Sequence, residues 1–248
     1  MANFIPLNNY SLFILDKLIE KYNLKPPFLD IACGTGYLSK HLAKKGWDGT
    51  AIDYSDKAIN ITKKNLKGIK NVKIEKKSLL KTFGKYNTIL MFDILEHIKN
   101  DISTLKKTHS LLSYGGYLVI ATPSNPKEWG YDDNFYGHIR RYTEDELKEK
   151  LIKTGFKSII CYDYTFPVFW LLRRIYMKIS IQKEYLASMQ ERTNRSSFTP
   201  FWNISFISRL LNNMRIVWYP VYFIQYTFFK NSISFGNGVI VLAKKCEL

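Results

Sequence analysis

Asp30, Ala32, Gly34 and Gly36 stand at alternate positions after an apolar run, in the stretch Asp-Ile-Ala-Cys-Gly-Thr-Gly that also holds Cys33. Small residues let a backbone approach a ligand closely, and a helix beginning just beyond presents free amides to it. Nucleotide-binding α/β folds build their ligand loop in this way. Asp53 closes a second apolar run 23 positions after Asp30, where a carboxylate can accept hydrogen bonds from both hydroxyls of a ribose. Singly, the glycines also suit an ordinary tight turn, and Asp53 a cap for the helix that follows. Their order and spacing together favour a nucleotide site. The GxGxxG wording of a dinucleotide loop is absent.

Three motifs in order, DIACGTG, AIDYS at 51 to 55 and FDILEHI at 92 to 98, closely resemble class I S-adenosylmethionine-dependent methyltransferases. The resemblance runs from about residue 25 to 164 and includes the terminal strand. It implies a Rossmann-like α/β fold: a seven-stranded, mostly parallel sheet with an antiparallel last strand. It also implies S-adenosylmethionine as cofactor and S-adenosylhomocysteine as product. By the same resemblance, Asp30, Ala32, Cys33, Gly34 and Gly36 line the methionine part, Asp53 holds the ribose and Tyr54 lies beside the adenine. Phe92 and Asp93 match the position that contacts the methionine amino group, where a carboxylate facing an ammonium makes physical sense. Where the family often has Gly this chain has Ala32, and where it often has an Asp against the adenine the chain reads Lys77-Ser78-Leu79-Leu80, so Ser78 or a backbone amide takes that contact.

Methyl transfer from a sulfonium is an in-line displacement, so the protein must align an acceptor and exclude water, and an oxygen acceptor must also lose a proton. Ligands of open α/β sheets bind beyond the carboxyl ends of the strands, which points to the polar stretch 124 to 142. There His138 is the candidate base, since imidazole titrates near neutral pH. Arg140 and Arg141 suit a phosphate or carboxylate on the acceptor, and Tyr131, Tyr136 and Tyr142 complete the candidate acceptor surface. The alternative pairs the arginines with Asp132, Asp133 or Glu144 and makes His138 a tether. The motif YGHIRRYTEDEL resembles a subset of bacterial class I methyltransferases that modify sugars and lipid-linked molecules. His97, beside Glu96, reads as structural. Asp132, Asp133 and His138 lack further acidic ligands, and no metal is assigned.

These groups need a scaffold. Apolar runs at 27 to 32, 48 to 53, 71 to 76, 86 to 93, 116 to 122 and 157 to 164 alternate with helical patterns at 36 to 45, 56 to 67, 100 to 113 and 144 to 154, the order of βαβ units and a parallel sheet. A further helix is expected over 8 to 23, Gly115-Gly116 marks the turn into the fifth strand, and Thr143 and Glu146 form a capping box. The alternation stops at 165 to 232, a stretch dense in aromatics with nine Lys/Arg against Glu184 and Glu191, and a final strand returns within 234 to 245. The chain therefore divides into a cofactor-binding domain, 1 to 164 with 233 to 248, and an inserted acceptor lid, 165 to 232. Aromatics interleaved with cations also suit peripheral contact with a membrane.

With 37 Lys+Arg against 21 Asp+Glu, the net charge of +16 favours anionic partners. A nucleic-acid methyltransferase is the alternative this charge raises, and a non-catalytic cofactor-binding protein is another. Against the first, the fourth strand ends in Phe-Asp-Ile-Leu rather than the Pro-Pro-aromatic motif of enzymes that methylate base amino groups. The three scattered cysteines, Cys33, Cys161 and Cys246, and a start without a signal-peptide pattern indicate the cytoplasm. The longest uncharged run, 216 to 229, is too short to span a bilayer. The expected activity is O-methylation of a small-molecule, sugar or lipid-linked acceptor.

Overall fold

The computed structural model describes residues 6–179 and 215–246. Seven strands form one sheet in the order β3-β2-β1-β4-β5-β7-β6: β1 (Phe28–Ile31), β2 (Gly49–Asp53), β3 (Val72–Lys76), β4 (Tyr86–Phe92), β5 (Leu112–Pro123), β6 (Phe156–Asp163) and β7 (Gly238–Lys245). β1 to β5 pair in parallel, while β7 lies antiparallel between β5 and β6. The strand order reverses between β1 and β4, and the loops after β1 and after β5 emerge on either side of that switch point.

Helices cover both faces, so the central strands are apolar on both sides rather than alternating with polar residues. Leu90 and Phe92 of β4 face one core together with Val119 and Ile240; Ile89 and Met91 face the other with Leu118, Ile120 and Val241. The first core is closed by α1 (Pro6–Tyr22) through Tyr10, Ile14, Leu15 and Leu18, and by α2 (Tyr37–Lys44) through Leu38 and Leu42. α3 (Asp56–Asn65) follows β2, its N-terminus capped by Ser55. The second core is closed by α4 (Asp101–Leu111) through Leu105 and Leu111, and by α6 (Glu144–Lys153) through Leu147 and Leu151. Between these two comes α5 (Tyr131–Tyr136), inside the polar loop and without an apolar period to announce it.

The expected strands and helices are found within a few residues of their expected ends, with one informative difference at Gly115-Gly116. The fifth strand begins earlier, at Leu112, and its pairing jumps from Tyr86 with Leu112 to Thr88 with Tyr117. The glycines thus sit in a bulge inside the strand rather than ahead of it.

Between β6 and β7 the chain supplies α7 (Val168–Ile179) and α8 (Arg215–Ile224), which runs into a π-helical turn, Gln225–Phe229. Both helices pack on α1. Tyr10 stacks on Phe169 at 5.6 Å and on Tyr222 at 5.2 Å, and the Tyr222 hydroxyl donates to the Pro6 carbonyl at 2.8 Å. The aromatics Phe198, Phe201 and Trp202, the cations Lys183, Arg192, Arg195 and Arg209, and Glu184 and Glu191 lie outside the described residues.

One close approach can be tested. A Cβ on Gly49, the first residue of β2, would lie 2.3 Å from the Phe28 ring. Gly49→Ala should therefore overpack the sheet and cost about 1–3 kcal/mol, read as a lower urea midpoint. An unchanged midpoint would show that Phe28 can move aside.

Candidate active site

β1 is buried along its whole length and brings Asp30 inward, where the Ser39 hydroxyl of α2 donates to it at 2.6 Å. Burial pushes this carboxyl up to about 7, opposed by the Ser39 hydrogen bond. The backbone then turns back on itself, with φ at +56° for Ala32, +56° for Gly34 and +73° for Gly36. Ala32 thus occupies a conformation that costs a residue with a Cβ about 1–2 kcal/mol, which explains why glycine is common there. At Gly36 a Cβ would also meet Thr62 Cγ2 at 2.7 Å.

The loop is tied to its neighbours by the residues expected to bind cofactor. The Gly34 amide donates to Asp53 Oδ2 at 3.0 Å, and the Ser55 amide to Asp53 Oδ1 at 2.9 Å. Each oxygen keeps a lone pair for a further donor, so Asp53 is fixed and still able to accept a diol. Cys33 is buried against Thr62, whose hydroxyl donates to the Gly34 carbonyl at 3.0 Å. Tyr54 and Ser78 are exposed on the same side, past β2 and β3. Phe92, the last residue of β4, and Asp93 just after it join Tyr37, Ala121 and Tyr164 around a cavity of about 70 Å³, roofed by Leu7, Asn8 and Ser11 of α1. Asp93 opens toward solvent with φ at +51°. The protein packed around it raises its carboxyl to about 6, and the charge of His138 opposes that rise. Tight turns, a held diol acceptor and a carboxylate at the cavity fit a nucleoside carrying an amino-acid chain.

The acceptor loop is organised about groups that sequence reasoning treated as background. His138 Nδ1 lies 2.7 Å from Asp133 Oδ1, and its Nε2 lies 3.9 Å from Glu96 Oε1. Nδ1 therefore carries a proton donated to the carboxylate, leaving the Nε2 lone pair free. Burial lowers the His138 pKa, but the Asp133 hydrogen bond and the Glu96 charge outweigh it and the net shift is upward. Glu96 is fully buried; its Oε2 accepts from the Thr122 hydroxyl at 3.1 Å, while Oε1 has no hydrogen-bond partner among the described residues. Burial raises Glu96 to about 7, with His138 pulling the other way. His97 Nδ1 meets the Gly137 carbonyl at 3.1 Å, its ring packs edge-on against His138, and burial lowers its pKa to about 4. Glu96, His97 and His138 place ligand-type atoms within 4.8 Å of one another. A divalent cation could span that distance, and without one a protonated His138 offsets the Glu96 charge across 3.9 Å, with no hydrogen bond to Oε1.

Three expected acceptor residues turn inward instead. Arg141 is buried: its Nε donates to both oxygens of Asp133, at 2.9 and 3.0 Å, and its Nη1 donates to the Ser124 and Asn237 carbonyls. Tyr142 is fully buried, donating to Asp101 Oδ2 at 2.9 Å. Arg140 donates to the same oxygen at 2.8 Å and to the Lys99 carbonyl. An unpaired guanidinium cannot be buried, and here the partners are carboxylates of the chain itself. Tyr136 stacks over His138, with ring centroids 6.0 Å apart, and Tyr131 packs near Phe135 on the same short helix. The functional neighbours missed from sequence are Glu96 and Thr122 around His138, and the α1 roof; Asp133 pairs with Arg141 as the alternative reading had it, and holds His138 as well. Asp133 stood in the right cluster without a distinguishing spacing.

Residues 12–160 match the methyltransferase domain family, and the chain belongs to it. It is 31% identical over 107 residues to a ubiquinone biosynthesis O-methyltransferase of Nitrosospira multiformis, covering 41% of this chain and 45% of that one. A protein of the same name from Pelagibacter ubique is 29% identical over 136 residues, covering 49% and 57%. The match thus spans about half the length of these curated relatives. Among solved structures, a putative methyltransferase of Bacillus halodurans aligns with TM-score 0.60 at 17% identity, over 94% of this chain and 99% of that one. A SAM-dependent methyltransferase of Archaeoglobus fulgidus aligns with TM-score 0.57 at 18% identity, over 95% and 94%. These likenesses show the fold, the Rossmann-like sheet of class I methyltransferases.

Arg141→Ala should leave Asp133 buried and short of its partner, costing about 3–5 kcal/mol of stability and lowering the melting temperature. A stable variant whose only defect is a raised acceptor KM would return Arg141 to the acceptor surface.

Proposed function

We propose that this chain transfers the methyl group of S-adenosylmethionine to a hydroxyl oxygen of a small acceptor, with His138 as the base. The observation that carries the reading is the imidazole held by Asp133 at Nδ1, with its Nε2 3.9 Å from Glu96 Oε1 and not hydrogen bonded to it. The family and the name of the relatives support it. S-adenosylmethionine, when bound, supplies an electrophilic methyl on a sulfonium whose departure leaves a neutral thioether. Asp53 accepts the ribose hydroxyls and Asp93 faces the ammonium, while Asp30 anchors α2 against the loop. His138 Nε2 takes the hydroxyl proton as the O–C bond forms, and the proton comes to rest between His138 and Glu96, whose raised pKa suits it to share that charge.

With Arg141 buried and Arg140 paired with Asp101, little cationic surface of this loop faces an acceptor, so the acceptor read here is an uncharged or lipid-linked hydroxylated ring. We read 165 to 232 as the lid over it. On α8 and the turn beyond, Val217, Tyr219, Phe223 and Phe228 are each more than half exposed. Lys230 lies over the Tyr226 ring at 4.5 Å. Such a surface suits peripheral contact with anionic lipid. Among the described residues no helix is long and apolar enough to cross a membrane.

Incubation with methyl-labelled S-adenosylmethionine, using catechol, phenol and glucose as probes beside aqueous and lipid extracts, should place label on a ring hydroxyl or in the lipid phase. Label confined to RNA would overturn the reading. Asp53→Ala should weaken cofactor binding roughly tenfold or more, as expected for a lost charged hydrogen-bond acceptor; unchanged affinity by calorimetry removes the ribose assignment. Because only neutral His138 is a base and its pKa is raised, kcat/KM should climb with pH through a midpoint above about 6.5. Turnover should survive exhaustive chelation, whereas loss in EDTA with recovery on Mg²⁺ or Mn²⁺ would make His138 a cation ligand rather than a base.

A further inference from the structure

Arg173, on α7, reaches across the site to the helix that carries Asp133. Its Nε donates to Asp132 Oδ2 at 2.6 Å and its Nη2 to Asp132 Oδ1 at 2.5 Å, a two-pronged grip. Nη2 also donates to the Glu128 carbonyl at 3.0 Å and lies 3.4 Å from Asp133 Oδ2. Asp132 Oδ1 in turn accepts the Asp133 amide at 3.1 Å. The guanidinium thus touches the backbone, the neighbour and the carboxylate that together fix Asp133, one bond away from His138. The pair is largely shielded, with the Arg173 and Asp132 side chains 14% and 15% exposed, so water screens it little.

Gly130 leaves room for this contact: a Cβ there would lie 2.8 Å from Arg173 Nη2 and 3.1 Å from Met177 Cε, so a larger residue would push the ends of both side chains aside. Arg174, the next residue, turns the other way to Glu128 Oε1 at 2.5 Å and stacks on Trp170. Glu128, Asp132 and Asp133 are thereby matched by Arg141, Arg173 and Arg174. Among the described residues, Glu128 and Asp132 take their ion pairs from α7, whereas Asp133 also has Arg141 and His138.

We propose that Arg173 is a positioning residue that couples the seating of α7 to the orientation of His138. When α7 lifts, Asp132 loses its fork and Asp133 one of its cations, and the imidazole is no longer held at a single tilt. Seating α7 on the loop restores the fork and with it the single orientation of the base. This rests on His138 being the base, and the test separates the two ideas.

The Nδ1 proton of His138, hydrogen bonded to Asp133, should appear as a low-field proton resonance, assigned by its loss in His138→Gln. In full-length Arg173→Ala this resonance should move upfield and exchange faster, with kcat on catechol lowered about ten- to a hundredfold, the range typical when a residue orienting a site group is removed, and cofactor affinity unchanged. Arg174→Ala, which removes contacts to Glu128 and Trp170 but none to Asp132 or Asp133, should leave the resonance in place. Should Arg173→Ala not fold, Arg173→Lys, which keeps the charge and loses the fork, should give the same shift in smaller measure. A resonance unchanged in either Arg173 variant overturns the coupling whatever the turnover does. Turnover that survives His138→Gln overturns the base assignment instead, leaving the resonance to judge Arg173.

Discussion

The carboxylate of Asp133 has no exposed surface, yet it meets the Gly130 amide, the Arg141 guanidinium, the His138 imidazole and, from α7, Arg173. Burial alone would raise its pKa; His138 and Arg141 outweigh that effect and hold it ionised, below the ordinary aspartate range. A carboxylate stripped of water costs several kcal/mol unless its lone pairs are filled, so the chain from 124 to 142 must fold in the one way that fills them. That requirement shapes α5, turns Arg141 inward and aims His138 at Glu96. The geometry of the acceptor side follows from the solvation of one side chain.

The cofactor side obeys the same rule through Asp53. Its oxygens collect the amides of Gly34 and Ser55, which locks the turn after β1 to the end of β2. In both halves a buried carboxylate is held by groups of the chain itself, two amides at Asp53 and an amide, a guanidinium and an imidazole at Asp133. The two halves meet at the point where the sheet order reverses, and α1 and α7 close over them.

Much of this was legible in the order of the residues. Strands buried on both faces read as continuous apolar runs, and turns that need positive φ select glycine, so the sheet and the tight turn after β1 could be placed from sequence. The acceptor side was harder. Tyr-Gly-His-Ile-Arg-Arg-Tyr shows polar groups suited to chemistry, but nothing in its spacing tells which of them face a ligand and which fill one another's charge. Arg141 and Tyr142 find their partners, Asp133 and Asp101, only through tertiary contacts, one of them 41 positions away. Glu96 looked like half of a structural pair with His97, because its approach to His138 crosses from the loop after β4 to the loop after β5. The roof that α1 gives the cavity is equally silent, since helical spacing announces a helix and not what its first turn covers.

The claim at the centre is that Asp133 acts on catalysis through His138. A double-mutant cycle of Asp133→Asn and His138→Gln, measured as kcat on the acceptor that takes label, tests it most directly. If the two residues work as one unit, each single variant loses turnover and the double variant is no slower than His138→Gln alone. Losses that multiply in the double variant would mean that Asp133 and His138 act separately, and would contradict the account.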